Sequence, residues 1–248
     1  MNLRDERVIA AFHPFANWVL RQWYRLILEL DVQGRENVPR TGPLLIIINH
    51  THFLDPLIPT AYLRPDIFPM AKHEVFEGKW KWMFDAYGSF PVRRGEADMQ
   101  AFKHAFRVLR AGHVVLMAPE GTRAKTGGLQ KAHEGAGLIA ARAGVPVLPV
   151  ALWGGRSLVP TLKKFRRNPI HVRIHAPLIV KPLDRKISRE EISIVTDEIM
   201  YTLATMLPEE YRGAYSDIEK FAPRYLLPYH ASQVENANVR NEVMPLTN

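Results

Sequence analysis

Leu44–Ile48 is an unbroken run of branched apolar residues, closed by Pro43 on one side and by the polar Asn49 and His50 on the other. It is too short for a helix and has the composition of a strand buried on both faces. Two more runs of this kind follow, in "HVVLMAPEGTR" (His113 to Arg123) and "VPVLPVAL" (Val145 to Leu152). Shorter strands fit "DIFPMAKHEVF", "GSFPVRRG" and "HVRIHAPLIV". The intervening segments read as helices. "LDPLIPTAYL" offers Asp55 as an N-cap and Pro56 in the first turn. A helix from about Ala97 to Arg110 is stopped by Gly112, and one from Ala132 to Ala143 by Gly144. Ser188 and Glu191 form a capping-box pattern ahead of Ile192, Val195, Ile199 and Met206. Such alternation predicts an α/β fold: a mixed central sheet with helices on both faces, preceded by an N-terminal amphipathic helical element. The division expected is 1–33 for that element, 34–228 for the α/β domain and 229–248 for a loose tail.

Between Phe15 and Leu30, the residues Phe15, Trp18, Val19, Trp23, Leu26, Ile27 and Leu30 recur at helical spacing, with Arg21 and Arg25 on another side. An aromatic stripe with basic flanks suits a helix lying in a membrane interface, and equally a helix packed on its own domain. A secretory signal is not expected, because Asp5, Glu6, Arg21 and Arg25 interrupt the apolar stretch. No run reaches the roughly 18 apolar residues of a spanning helix. The net charge of +8 calls for an anionic partner, which nucleic acid, an anionic membrane or a phosphorylated small molecule would satisfy. With no cysteine, thiolate nucleophiles and thiolate metal sites are excluded.

The polar ends of the strands carry the chemistry. After Ile48 come Asn49, His50, Thr51 and His52, with Asp55 three positions on. His50 and Asp55 on one continuous helix would point about 140° apart. With His50 in the loop leaving a strand and Asp55 at the start of the next helix, the imidazole can fold back onto the carboxylate. One ring nitrogen would then be oriented and the other left free to take a proton from a hydroxyl. His50, His52 and Asp55 also spell H-x-H-x-x-D, a possible metal cluster, although the other histidines supply no second compact set of ligands. "APEGTRA" (Ala118 to Ala124) ends another strand in a turn bearing backbone N–H groups, a hydroxyl and a guanidinium, suited to a phosphate or carboxylate. "GSFPVRRG" adds Arg93 and Arg94. All three segments fall at strand ends, where open α/β sheets bind ligands.

These blocks, in this order, resemble the glycerolipid acyltransferase superfamily typified by 1-acylglycerol-3-phosphate acyltransferase. "NHTHFLD", "GSFPVRRG", "APEGTRA" and "VPVLPVAL" correspond to its four ordered motifs, and the resemblance spans roughly Pro43 to Tyr215. It implies that His50 is the general base and Asp55 its partner. It implies that Arg94, Glu120, Gly121, Thr122 and Arg123 contact the phosphate-bearing acceptor, and that Val145 to Val150 shapes acyl-donor binding. The donor would be acyl-CoA or acyl carrier protein, the acceptor a lysophospholipid, foremost 1-acylglycerol-3-phosphate giving phosphatidic acid and alternatively another lysolipid or a glycolipid, and the membrane surface a peripheral partner, with no metal or other cofactor and no nucleic acid. The expected location is the cytoplasm, against the cytoplasmic face of the membrane. Three positions depart from the pattern: His52 stands where many members have serine, Ala118 where phenylalanine is usual, and Arg93 where an acidic residue is common. Two other classes compete: a metal-dependent hydrolase using His50, His52 and Asp55, and a non-catalytic basic module touching phosphates through "KKFRR" (Lys163 to Arg167).

Overall fold

The computed structural model describes residues 3–79, 81–93, 98–124 and 126–229. Helix α1 (Leu3–Ile27) runs directly into strand β1 (Leu28–Gln33). Then come β2 (Leu44–Ile48), α2 (Leu57–Tyr62), β3 (Ile67–Lys72), α3 (Lys81–Ala86), β4 (Phe90–Val92), α4 (Met99–Arg110), β5 (Val114–Met117) and α5 (Gly135–Ala143). The chain continues through β6 (Val147–Trp153), α6 (Leu158–Leu162), β7 (Asn168–Ile174), β8 (Leu178–Val180), α7 (Arg189–Met206) and β9 (Leu226–Pro228).

The strands lie in the order β1-β7-β6-β2-β5-β3-β4, with β8 branching from β6 and β9 pairing with β8. From β6 to β4 the strands are parallel, whereas β7 is antiparallel to β6, so the sheet is mixed. Strand periodicity divides the central residues between two cores. Leu45, Ile47, Val115, Met117, Val147 and Ala151 pack under α4, α5 and α7. Leu44, Ile46, Ile48, Leu116, Leu148 and Val150 pack on the other face, under Tyr24 of α1, Ile58 of α2 and Leu158 of α6. Burial on both faces explains why these strands read as continuous apolar runs.

Helix α1 packs in the opposite sense from an ordinary surface helix. His13, Asn17 and Tyr24 are buried, and Asn17 accepts a hydrogen bond from the Tyr87 hydroxyl. Phe15, Trp18, Val19, Trp23 and Leu26 point away from the domain, with Trp18 56% and Leu26 74% exposed. Most of the apolar stripe therefore faces outward. Leu30 does not belong to the helix. It sits in β1, which pairs residue for residue with β7, and the change from helical to strand period falls at Leu28.

"HVRIHAPLIV" is two strands rather than one: β7 pairs with β6 at Val150 to Trp153, and β8 takes the same edge of β6 at Val147. The break falls at His175 to Pro177, where proline removes a ladder donor. The helices closed by Gly112 and Gly144 end as expected, both glycines having positive φ. The tail from residue 230 onward lies outside the described residues.

Candidate active site

Strand β2 delivers its polar end to the carboxyl edge of the sheet, beside the ends of β5 and β6. Asn49 is 1% exposed, and its side-chain amide donates to the Leu152 carbonyl and accepts from the Leu152 N–H, both at 2.7 Å. The side chain thereby imitates one more strand residue and fixes the point at which the chain leaves the sheet. Both backbone groups of His50 are held by the loop after β5. Its N–H donates to Glu120 Oε1 at 2.8 Å, and its carbonyl accepts from the Ala124 N–H at 2.7 Å.

The chain then closes a tight turn. Asp55 Oδ2 accepts the N–H groups of Thr51 and His52, each at 2.6 Å, and the Thr51 hydroxyl at 3.3 Å. Asp55 is not the cap of α2, where Pro56 holds that position without a side-chain hydrogen bond. Its carboxylate turns back toward the strand because two amides and a hydroxyl satisfy it there. His50 Nδ1 faces the same Oδ2 at 3.5 Å. That nitrogen is buried without a formed hydrogen bond, so the neighbouring carboxylate is the acceptor that a protonated Nδ1 meets. The His50 side chain is 16% exposed and that of Asp55 3%. This geometry sets the imidazole against the Asp55 carboxylate through Nδ1.

Glu120 is 3% exposed, with Oε2 accepting the Gln130 N–H at 2.9 Å while Oε1 takes that of His50. Burial raises its pKa, and the two amides oppose the shift. Both oxygens are engaged, so the carboxylate braces the His50 backbone. Gly121 has φ of +67°, and a Cβ there would come 2.9 Å from the His133 ring, so both conformation and space require glycine. Thr122 and Arg123 are exposed. Arg123 lies close enough to depress the pKa of His52, whose main downward influence is burial and whose upward one is Asp55. Arg94 lies outside the described residues. Val147, Leu148 and Val150 are fully buried, so these three act through the core and not as an exposed lining.

His52 is positioned from behind by Gly155, where a Cβ would lie 2.8 Å from the His52 Cβ. Its Nδ1 is approached by the Leu54 N–H at 3.4 Å. Among the described residues, no three His, Asp or Glu side chains come together in an arrangement that could hold a metal ion. Sequence reasoning passed over Gln130, His133 and Gly155. They reach the site across many residues of chain, through backbone groups and close approach, and no motif marks them.

The chain matches the Acyltransferase family over residues 29–153, which carry the His50–Asp55 pair and the Glu120 brace. The chain belongs to the acyltransferase family. It is 29% identical over 183 residues to a chloroplastic 1-acyl-sn-glycerol-3-phosphate acyltransferase of Brassica napus, covering 70% of this chain and 52% of the relative. A 1-acyl-sn-glycerol-3-phosphate acyltransferase of Bacillus subtilis is 27% identical over 172 residues, covering 68% and 84%. The chain spans about half the length of the chloroplastic relatives. The fold is shared with the crystal structure of a 1-acyl-sn-glycerophosphate acyltransferase from Thermotoga maritima, at a TM-score of 0.56 and 23% identity, over 83% of this chain and 84% of that one.

Proposed function

We propose that this protein transfers a fatty acyl group from an acyl thioester, acyl-CoA or acyl carrier protein, to the free hydroxyl of a lysophospholipid. The acceptor we assign is 1-acylglycerol-3-phosphate, giving phosphatidic acid. The observation that carries the reading is His50 Nδ1 facing the buried Asp55 Oδ2 at 3.5 Å. Nε2 takes the proton of the acceptor hydroxyl, and the oxygen attacks the thioester carbonyl. The tetrahedral intermediate collapses with cleavage of the C–S bond, and the imidazolium returns the proton to the departing thiolate. The Asp55 carboxylate beside Nδ1 stabilises the imidazolium. Thr122 and Arg123, with Arg94, bind the acceptor phosphate, and Glu120 and Gly121 hold the base and the turn. These steps use no metal or other cofactor, and nucleic acid is not a partner. The acceptor is also consistent with what the Brassica napus and Bacillus subtilis relatives are named for.

The enzyme works on the membrane surface as a peripheral protein, on the cytoplasmic face. No helix of the described residues is long and apolar enough to cross a bilayer. The outward row of Phe15, Trp18, Val19, Trp23 and Leu26, flanked by Arg21 and Arg25, is suited to the interface. Release of free thiol from a long-chain acyl-CoA or acyl carrier protein, measured with and without 1-acylglycerol-3-phosphate, tests the reading. Acceptor-dependent release is expected. Equal release with water alone would identify a thioesterase instead.

A further inference from the structure

The segment between α6 and β7 carries a feature that the acyl-transfer chemistry does not use. Phe165 is 100% exposed and has φ of +55°, alone among the described non-glycine residues in being left-handed. Its position has a structural origin. The Phe165 N–H donates to the Leu162 carbonyl at 2.9 Å and the Arg166 N–H to the Thr161 carbonyl at 3.3 Å, the hydrogen-bond pair of a Schellman motif ending α6. Phe165 occupies the position that glycine normally fills. The fold therefore bears an unfavourable backbone conformation and an aromatic ring wholly in water at the same residue, and no packing compensates for either. A non-glycine outlier of this kind is grounds for seeking a function.

Its neighbours supply the ligand chemistry. Lys163, Lys164, Arg166 and Arg167 flank Phe165 along the chain, all are exposed, and none makes an ion pair among the described residues. The neck beneath is clamped. Asn168 is fully buried, donates to the Gly154 carbonyl at 3.0 Å and accepts from the Ser157 hydroxyl at 2.7 Å. The tip is thus held out by hydrogen bonds at its neck. It leaves the sheet after the end of β6 and returns at the start of the antiparallel β7, at the edge where β2 delivers His50. Leu158 and Leu162 of α6 pack into the same core layer as Tyr24 and Leu20 of α1, so the tip and the outward aromatic row rise from one face of the sheet.

We propose that residues 163–167 form a second membrane contact, in which Phe165 enters the interfacial zone while the four cations bind the phosphates of anionic phospholipid. With α1 as the first contact, this would fix the orientation of the catalytic edge toward the bilayer. The proposal rests on the reading of the enzyme as one that works on membrane lipid, but it is tested by binding alone. The experiment is co-sedimentation of the full chain with phosphatidylcholine vesicles, with and without phosphatidylglycerol. It compares wild type, Phe165→Gly, and a variant carrying Lys163→Gln, Lys164→Gln, Arg166→Gln and Arg167→Gln.

Phe165→Gly should leave the melting temperature equal or higher, because glycine suits the left-handed position, and should weaken binding to mixed vesicles roughly tenfold. The glutamine variant should bind mixed vesicles no better than neutral ones. A purely structural role for Phe165 would give the opposite pattern, with stability lost and binding kept. Wild-type binding by both variants overturns the proposal, as does loss of binding to duplex DNA or RNA with vesicle binding unchanged. If the wild type transfers no acyl group while Phe165→Gly still weakens vesicle binding, the enzymatic reading fails and the lipid tip stands.

Discussion

One oxygen of Asp55 closes the Thr51–Asp55 turn and faces the imidazole of His50. Placing both on one atom sets the imidazole beside the turn, and it explains why spacing exposed the pair: five residues allow this fold-back and forbid direct contact along a helix. Glu120 adds the second support. Replacing it with glutamine turns one accepting oxygen into a donor that faces a backbone N–H. Glu120→Gln should therefore cost about 1–3 kcal/mol in denaturant unfolding and lower kcat with little change in KM. A variant of native stability with only a raised KM for the acceptor would show that Glu120 binds substrate instead. The sequence showed Glu120 as part of a turn but could not show which groups it bonds. Its partners His50 and Gln130 are set by tertiary packing and have no periodic signal.

Among the elements, α5 and α7 pack so closely that a Cβ at Gly137 would lie 2.4 Å from both the Ile192 carbonyl and the Thr196 hydroxyl. Helix propensity favours alanine over glycine by about 1 kcal/mol in an exposed helix. Here packing reverses the sign: Gly137→Ala should lower stability by roughly 1–3 kcal/mol, measured by denaturant titration. The start of α7 makes a second prediction. Glu191 receives the Ser188 N–H, both outer nitrogens of Arg185 and the Tyr225 hydroxyl, and Arg185 above all holds its carboxyl far below the ordinary value of 4.5. A depressed carboxylate contributes stability that is complete above its unfolded pKa and lost as pH falls toward its folded one. Glu191→Gln should accordingly lower the melting temperature at neutral pH and flatten its decline below about pH 4.5, as followed by thermal melts across pH. The capping box was legible because it is local in sequence. Strand β1 was not, because Glu29 and Asp31 interrupt its apolar residues and Leu30 continued the helical stripe by coincidence of spacing. An edge strand buried mainly at one end leaves little pattern to read.

For the molecule as a whole, the proposed chemistry lies at the carboxyl edge of the sheet, and the outward row of α1 and the basic tip rise from one of its faces. The central strands were legible because burial on both faces leaves no polar residue within them, and the His50–Asp55 pair was legible because it falls where such a strand ends. The orientation of α1 was not, since an apolar stripe reads the same whether it faces a core or a bilayer. Only the inward burial of His13, Asn17 and Tyr24 settles which side packs on the domain. Trp18→Ala with Trp23→Ala should weaken vesicle binding roughly tenfold and leave the melting temperature nearly unchanged, since both rings are substantially exposed. Whether His50 is the base is decided by thiol release from His50→Ala beside wild type, at equal protein with folding verified by circular dichroism. Acceptor-dependent release is expected to fall by roughly 10²–10⁴-fold in a variant that remains folded. Release near the wild-type rate from folded His50→Ala would contradict it.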